Sequence, residues 1–229
     1  MPDPVLLVTG ASSGIGEACA RAAAGAGYRL ALLARRRDRL ERIAADLGGP
    51  ERALAIECDV TEWEEQERAV GTVLETFGRL DAAFANAGFG AKRGFLNESP
   101  EHWRSMVLTN VYGAALTIRA CVPALRESEG HLLLTGSVAG HKVGPGSLYA
   151  CTKWAVTAMS EAARTDLQGS GVRVTLLAPG VVETAFYDDP VGGPQLTVDD
   201  VAEAFRFAIT RPAHVDVNEI LMRPTIQEF

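Results

Sequence analysis

Short apolar runs alternate along the chain with longer stretches in which apolar side chains recur every three or four positions. The runs Val5–Thr9, Arg29–Ala34, Ala53–Cys58, Ala82–Ala85, His131–Thr135, Val172–Leu177 and Val217–Met222 read as strands. Most are continuously hydrophobic rather than alternating, the pattern of parallel strands covered on both faces. Between them Ile15–Gly27, Arg37–Leu47, Thr61–Phe77, Pro100–Arg126, Ser147–Gln168 and Thr197–Ile209 carry helical spacing. Ser99 reads as a cap, with Pro100 in the first helical turn behind it. This order predicts right-handed crossovers and an α/β fold, a doubly wound parallel sheet of about seven strands with helices on both faces. No repeat or linker divides residues 1–229, so one domain is expected. Ala185–Gln195, rich in Gly, Pro and Asp, reads as a loop.

Charge narrows the choice of partner. A formal net charge of −7 argues against nucleic acid, because phosphate binding rewards a basic surface. Met1-Pro2-Asp3-Pro4 runs straight into a strand without the basic-then-apolar pattern of a signal peptide. No apolar run nears the ~18 residues of a membrane span. A cytoplasmic location without a membrane partner is therefore expected. Cys19, Cys58, Cys121 and Cys151 are scattered, without disulfide or zinc spacing, and are expected to be reduced core thiols. His102, His131 and His214 show no metal-ligand spacing, and no metal is expected.

The first strand joins the first helix through Thr9-Gly10-Ala11-Ser12-Ser13-Gly14-Ile15-Gly16. Gly10 permits a sharp turn, Gly14 lets the backbone approach a pyrophosphate, and Gly16 allows close helix–sheet packing. The helix start then offers free N–H groups and a positive dipole end to the phosphates. A dinucleotide is the ligand this arrangement fits. The second strand ends in Ala34-Arg35-Arg36-Arg37. Sites for NAD usually place a carboxylate here, about 20 residues beyond the glycines, to hold the ribose 2′-hydroxyl. Instead, Arg35 or Arg36 can meet a 2′-phosphate in a charge-assisted pair, with Ser12 adding a hydroxyl. Three arginines at a helix start oppose its dipole unless an anion is bound there, so NADP(H) is expected in preference to NAD(H).

Tyr149 and Lys153 lie four apart in Ser147-Leu148-Tyr149-Ala150-Cys151-Thr152-Lys153 and share one helix face. A nearby ammonium favours the phenolate, so Tyr149 can serve as acid in one direction and base in the other. Lys153 can also hold a cofactor ribose hydroxyl. Ser137 follows an apolar strand and places a hydroxyl at the sheet's carboxyl edge, where it can stabilise a substrate oxygen. Asn86-Ala87-Gly88 ends another strand at that edge, so its backbone and amide can approach the cofactor. Asn110 lies mid-helix, an unfavourable place for Asn, where it can bind a water linking Lys153 to solvent.

These residues resemble the short-chain dehydrogenase/reductase family over nearly the whole chain. The segment Thr9–Gly16 looks like its cofactor motif and Asn86-Ala87-Gly88 like its sheet-stabilising motif, while Asn110, Ser137, Tyr149 and Lys153 match its catalytic tetrad. The resemblance implies that Asp59 and Val60 border the adenine. It also implies that Pro179-Gly180-Val181-Val182-Glu183-Thr184 meets the nicotinamide carboxamide, with Val182 and Thr184 in contact. It further implies a Rossmann fold, a two-electron carbonyl/alcohol reaction on a small molecule, and a homotetramer or homodimer paired through the helices Pro100–Arg126 and Ser147–Gln168. The tail Val217–Thr225 looks like the branch containing NADP-dependent 3-hydroxy acid dehydrogenases and clavulanate-type aldehyde reductases. The Ser137–Tyr149 interval is shorter than is common in the family, which predicts a tightened His141–Gly146 loop. The substrate loop, about 185–196, is also short, which predicts an open pocket.

His141 can touch substrate but reads better as a loop residue. Cys151 and Trp154 read as packing or subunit contacts, and Phe186 and Tyr187 as candidates for the pocket mouth. Three functions remain in play: a carbonyl reductase using NADPH, an alcohol or 3-hydroxy acid dehydrogenase using NADP, and a cofactor-binding sensor without turnover. The complete tetrad favours the enzymes.

Overall fold

The computed structural model describes residues 3–143, 147–184 and 193–227. The strands are β1 (Val5–Thr9), β2 (Arg29–Ala34), β3 (Ala53–Glu57), β4 (Ala82–Ala85), β5 (His131–Thr135), β6 (Arg173–Pro179) and β7 (Glu219–Met222). They form one wholly parallel sheet in the order β3-β2-β1-β4-β5-β6-β7. The helices are α1 (Gly14–Gly25), α2 (Arg37–Asp46), α3 (Trp63–Phe77), α4 (Pro100–Val107), α5 (Ala114–Ser128), α6 (Leu148–Asp166) and α7 (Val198–Ile209). The arrangement is the expected Rossmann fold.

The uninterrupted apolar strands follow from two separate cores. Successive side chains of a strand point to opposite faces. Val5 and Leu7 of β1 therefore join Ala69 and Val73 of α3, Leu125 of α5 and Val156 of α6. Leu6 and Val8 join Cys19 of α1, Leu40 of α2 and Phe205 of α7. Phe84 and Phe205 meet with ring centroids 4.9 Å apart. The connections run to opposite sides of the sheet from β1 and β4, which are neighbours. A crevice therefore opens at the carboxyl ends of these two strands, where α/β folds bind ligands.

Where elements differ from the sequence reading, local chemistry accounts for most of the difference. Asp59 Oδ1 accepts both the Thr61 N–H and its hydroxyl, which delays α3 to Trp63. The single helix expected over Pro100–Arg126 contains a π turn at Leu108–Gly113 and extends to Ser128. Ser99 does cap α4, its Oγ accepting the His102 N–H at 3.1 Å. Contrary to the expectation of no membrane-length apolar run, Pro100–Ser128 is long and apolar enough to cross a membrane by length and composition. Its buried side chains Met106, Leu116, Cys121 and Leu125 belong to the fold's interior. Cys19, Cys58 and Cys121 are buried as expected, but Cys151 is exposed, and so is Trp154.

His131 opens β5 and is 1% exposed. Its Nε2 lies 2.8 Å from Thr175 Oγ1, whose own proton goes to the Val217 carbonyl, so Nε2 must carry the imidazole hydrogen. Burial, with Arg173 nearby, pushes the His131 pKa down to about 3. The unfolded chain takes up a proton near pH ~6.5 whereas the folded one resists it. Stability should therefore fall as pH drops from about 6.5 toward 3, at up to about 1.4 kcal/mol per pH unit from this residue. His131→Leu should flatten the pH dependence of thermal denaturation across that window. An unchanged slope would show that the imidazole does not govern it.

Candidate active site

The carboxyl ends of β1, β4 and β5 are tied together by side chains. Thr9 Oγ1 accepts the N–H groups of Asn86 and Ala87 at 3.0 and 3.1 Å. Asn86 Nδ2 donates to the Thr9 carbonyl, and Thr135 Oγ1 donates to Asn86 Oδ1. The Asn86 amide is thus spent inside the scaffold rather than presented to a cofactor, and Ala87 and Gly88 carry the backbone lining. Gly10 adopts φ +67°, and a methyl group there would lie 2.9 Å from Ala87 Cα. A side chain on Gly16 would strike the Gly10 carbonyl and the Asn86 amide. The glycine spacing is therefore what lets α1 begin directly against the crevice.

Of the three arginines, Arg36 is the one that reaches the glycine segment. Its Nη2 donates to Ser12 Oγ at 2.9 Å and to Ser13 Oγ at 2.8 Å. Arg35 is exposed beside it, and Arg37 pairs with Glu41 one helical turn on, at 2.8 Å. The chain turns into α2 after Ala34 and so swings Arg36, of the two candidates, over the loop. Asp59 and Val60 follow β3. The Asp59 N–H donates to Glu65 Oε2 at 2.7 Å, and Val60 is buried.

Across the crevice α6 begins at Leu148, capped by Ser147 Oγ, which accepts the Ala150 N–H. Tyr149 and Lys153 share its inner face, with Nζ 5.8 Å from the centre of the Tyr149 ring. Lys153 is 5% exposed, and its ammonium donates to the Thr135 carbonyl at 2.7 Å. Burial lowers its pKa to about 8. Near neutrality it remains mostly a cation, poised to favour an anionic phenol. Ser137 stands two residues beyond β5 with extended backbone and accepts the Ala139 N–H at 3.1 Å. That bond uses an oxygen lone pair and leaves the hydroxyl hydrogen able to donate, as polarising a substrate oxygen requires.

Asn110 sits in the π turn, which explains an Asn in mid-helix: such turns arise from one inserted residue and recur at functional sites. Its side chain clamps Phe89, with Nδ2 donating to the Phe89 carbonyl at 2.9 Å and Oδ1 accepting the Phe89 N–H at 3.0 Å. Nδ2 also donates to Thr152 Oγ1 at 3.1 Å. Both amide hydrogens and Oδ1 thus have protein partners. A Cβ on Gly88 would sit 3.0 Å from Asn110 Oδ1 and 3.8 Å from Lys153 Nζ, so only glycine leaves that space open.

The segment after β6 closes the crevice from the far side. Val182 pairs with Leu196, and Thr184 Cγ2 lies 3.4 Å from where a Cβ on Gly14 would be. The Gly180 N–H donates to the Met222 carbonyl, and the Val181 N–H to Gln227 Oε1. The roles of Gln227 and of buried Thr135 and Thr152 carry no local sequence signal, since they bond the Val181 N–H, the Asn86 and Lys153 side chains, and the Asn110 amide, all remote in sequence. His141 Nε2 lies 2.7 Å from Glu219 Oε1, linking its loop to β7. Phe186, Tyr187 and most of the short loop expected to leave the pocket open lie outside the described residues.

The chain matches the short chain dehydrogenase family over residues 4–190. It is 35% identical over 228 residues to an oxidoreductase of Staphylococcus aureus, covering 98% of each chain. In three dimensions it resembles an alcohol dehydrogenase from Thermococcus sibiricus complexed with 5-hydroxy-NADP, with TM-score 0.91, 36% identity and 98% coverage of each chain. It also resembles serine dehydrogenase from Escherichia coli, with TM-score 0.89 and 33% identity over 98% of this chain and 100% of that one. Matched over most of its length, and folded around the motifs that first suggested the resemblance, the chain belongs to the short-chain dehydrogenase/reductase family.

Proposed function

We propose that this oxidoreductase uses NADP(H) to interconvert the carbonyl and alcohol forms of a small molecule: an aldehyde, a ketone or a 3-oxo/3-hydroxy acid. The observation that carries the reading is the convergence of Ser137, Tyr149 and Lys153 on a crevice whose other end is crossed by Arg36. The cradle fits the cofactor. Gly10–Gly16 and the start of α1 suit the pyrophosphate, Asp59 and Val60 border the adenine, and Pro179, Gly180, Val182 and Thr184 border the carboxamide. Bound there, the nicotinamide supplies or receives the hydride. Tyr149 holds the proton that the substrate oxygen gains on reduction and gives up on oxidation. Ser137 donates to that oxygen, and Lys153 biases the Tyr149 proton through its charge. Asn110, by gripping Phe89, fixes the wall behind Lys153.

Two of the similar enzymes bear on the reading. One is the alcohol dehydrogenase complexed with 5-hydroxy-NADP, and the other is a closed form of serine dehydrogenase complexed with NADP+, 32% identical to this chain with TM-score 0.90. The proposal includes a cytoplasmic homodimer or homotetramer paired through α4, α5 and α6, where Val107, Leu108, Tyr112 and Trp154 are exposed.

Oxidation of NADPH and NADH against aldehydes, ketones and 3-oxo acids tests the activity, with the reverse oxidations alongside. NADPH turnover well above NADH supports the proposal, whereas tight NADPH binding without turnover moves the weight to a sensor. Tyr149→Phe should lower kcat by at least about a hundredfold while leaving NADPH affinity near wild type. Retained turnover would remove Tyr149 from its role. Arg36→Ala should weaken NADPH binding by about tenfold or more and leave NADH unchanged, with Arg35→Asp moving preference the same way. Equal effects on both cofactors would mean that other groups read the 2′-phosphate.

Lys153 also has a stability signature. Its pKa of about 8 when folded lies below the ~10.5 expected unfolded. The cost of burying its charge is therefore complete below pH 8 and fades as pH rises toward ~10.5. Lys153→Met should abolish turnover yet raise Tm by a few degrees at pH 7, with the gain vanishing in strong alkali. A lower Tm at pH 7 would mean that the bond to Thr135 outweighs the burial cost.

A further inference from the structure

Outside the tetrad, one buried polar side chain connects the two ends of the crevice. Gln66 on α3 is 2% exposed. Its Nε2 donates to the Val60 carbonyl at 2.7 Å and to the Gly113 carbonyl at 3.0 Å. Its Oε1 accepts from Thr117 Oγ1 at 2.8 Å, and the same hydroxyl lies 2.9 Å from the Gly113 carbonyl. Both amide hydrogens and the amide oxygen are therefore used, and only one orientation of the amide satisfies all partners. Val60 lies in the segment assigned to the adenine. Gly113 closes the π turn whose third residue is Asn110. The two backbones pack so tightly that a methyl group on Gly113 would lie 2.8 Å from Val60 Cγ2.

A π turn holds one residue more than the α-helix around it. If it relaxed, residues on one side would rotate by about 100° relative to those on the other, and Asn110 would leave Phe89. Gln66 supplies a donor to the Gly113 carbonyl, at the point where the helix returns to α geometry, and the Thr117 hydroxyl holds the Gln66 amide in place. An apolar side chain in place of Gln66 would fill the volume but leave the Val60 and Gly113 carbonyls short of donors, at a cost that a buried backbone rarely bears.

We propose that Gln66 is a positioning residue that fastens the Asn110 π turn to the adenine-side segment, so that turnover and cofactor affinity both depend on it. This rests on the reading of the site given above. Gln66→Leu should lower kcat by between about ten- and a hundredfold and weaken NADPH binding, read by fluorescence titration, in protein still folded at the assay temperature. Gln66→Glu should recover kcat as pH falls, because only a protonated carboxyl can donate to either carbonyl; wild type should show no such gain. A lower Tm with kcat and NADPH affinity unchanged in Gln66→Leu would overturn the proposal and leave Gln66 a packing residue. Should Gln66→Leu not fold, Thr117→Val, which removes one donor of the cluster, should lower kcat in the same direction, and wild-type kcat there would overturn it equally. Tyr149→Phe run in parallel separates the two readings. If it abolishes turnover while Gln66→Leu leaves kcat and affinity intact, the site stands and the Gln66 role falls. If it retains turnover, the site falls and the NADPH affinity of Gln66→Leu still decides the role of Gln66.

Discussion

The crevice exists because the chain leaves β1 and β4 toward opposite faces of the sheet, and where it leaves, backbone groups lie beyond the ladder. Thr9, Asn86 and Thr135 meet that constraint. Their side chains take over where the sheet's own hydrogen bonds stop, and they bind the three strand ends across a gap that must stay open. An unmet buried N–H or carbonyl would cost about 1–3 kcal/mol, so this stitching is what makes an open sheet edge tolerable. It also fixes the distance between the glycine segment and the start of the catalytic wall. Gly10 packs against Ala87, and Gly16 against Gly10, with no room for a side chain on either glycine, and α1 can start nowhere else.

Apolar side chains fill both layers beneath this edge, whereas polar ones are buried just above it. Ser12, Gln66, Asn110, Thr117, Thr135, Ser137, Thr152 and Lys153 are all nearly inaccessible. Two of the group carry a local penalty. Lys153 is a cation whose pKa is lowered by burial, and Asn110 occupies a helix position that regular backbone would not provide. A sequence selected for stability alone would favour neither. The protein holds them because the surrounding hydrogen bonds leave few other arrangements, and a densely bonded polar cluster keeps a single geometry more firmly than loose packing does.

The fold was legible because hydrophobic continuity reports burial on both faces. That signal needs no knowledge of neighbours, and it located every strand to within a few residues. The glycine spacing and the Tyr149–Lys153 interval were legible for a similar reason, since each is a short-range pattern with one geometric meaning. Which arginine stands over Ser12 and Ser13 was not, because it depends on the angle at which the chain enters α2. The reading that the Asn86 amide can approach a cofactor missed its partners in the scaffold. Nothing near it in sequence shows that Thr9 and Thr135 lie within its reach. The π turn shows only as an Asn out of place, and the Gln66 cluster joins residues 47 and 51 positions apart, beyond any periodic pattern.

Arg36 is exposed, whereas Lys153 is enclosed, and the difference reaches beyond the site. An exposed guanidinium is screened by dissolved salt over about 10 Å at 0.1 M, while an enclosed ammonium is screened far less. Simple oxyanions of the medium can also settle where Ser12, Ser13 and Arg36 converge and compete there with a phosphate-bearing ligand. With the roles proposed above for Arg36 and Tyr149, discrimination between cofactors should weaken as ionic strength rises, while the proton chemistry at Tyr149 stays nearly indifferent to it. On the proposed function, buffer composition would govern which cofactor is chosen, and pH how fast it is used.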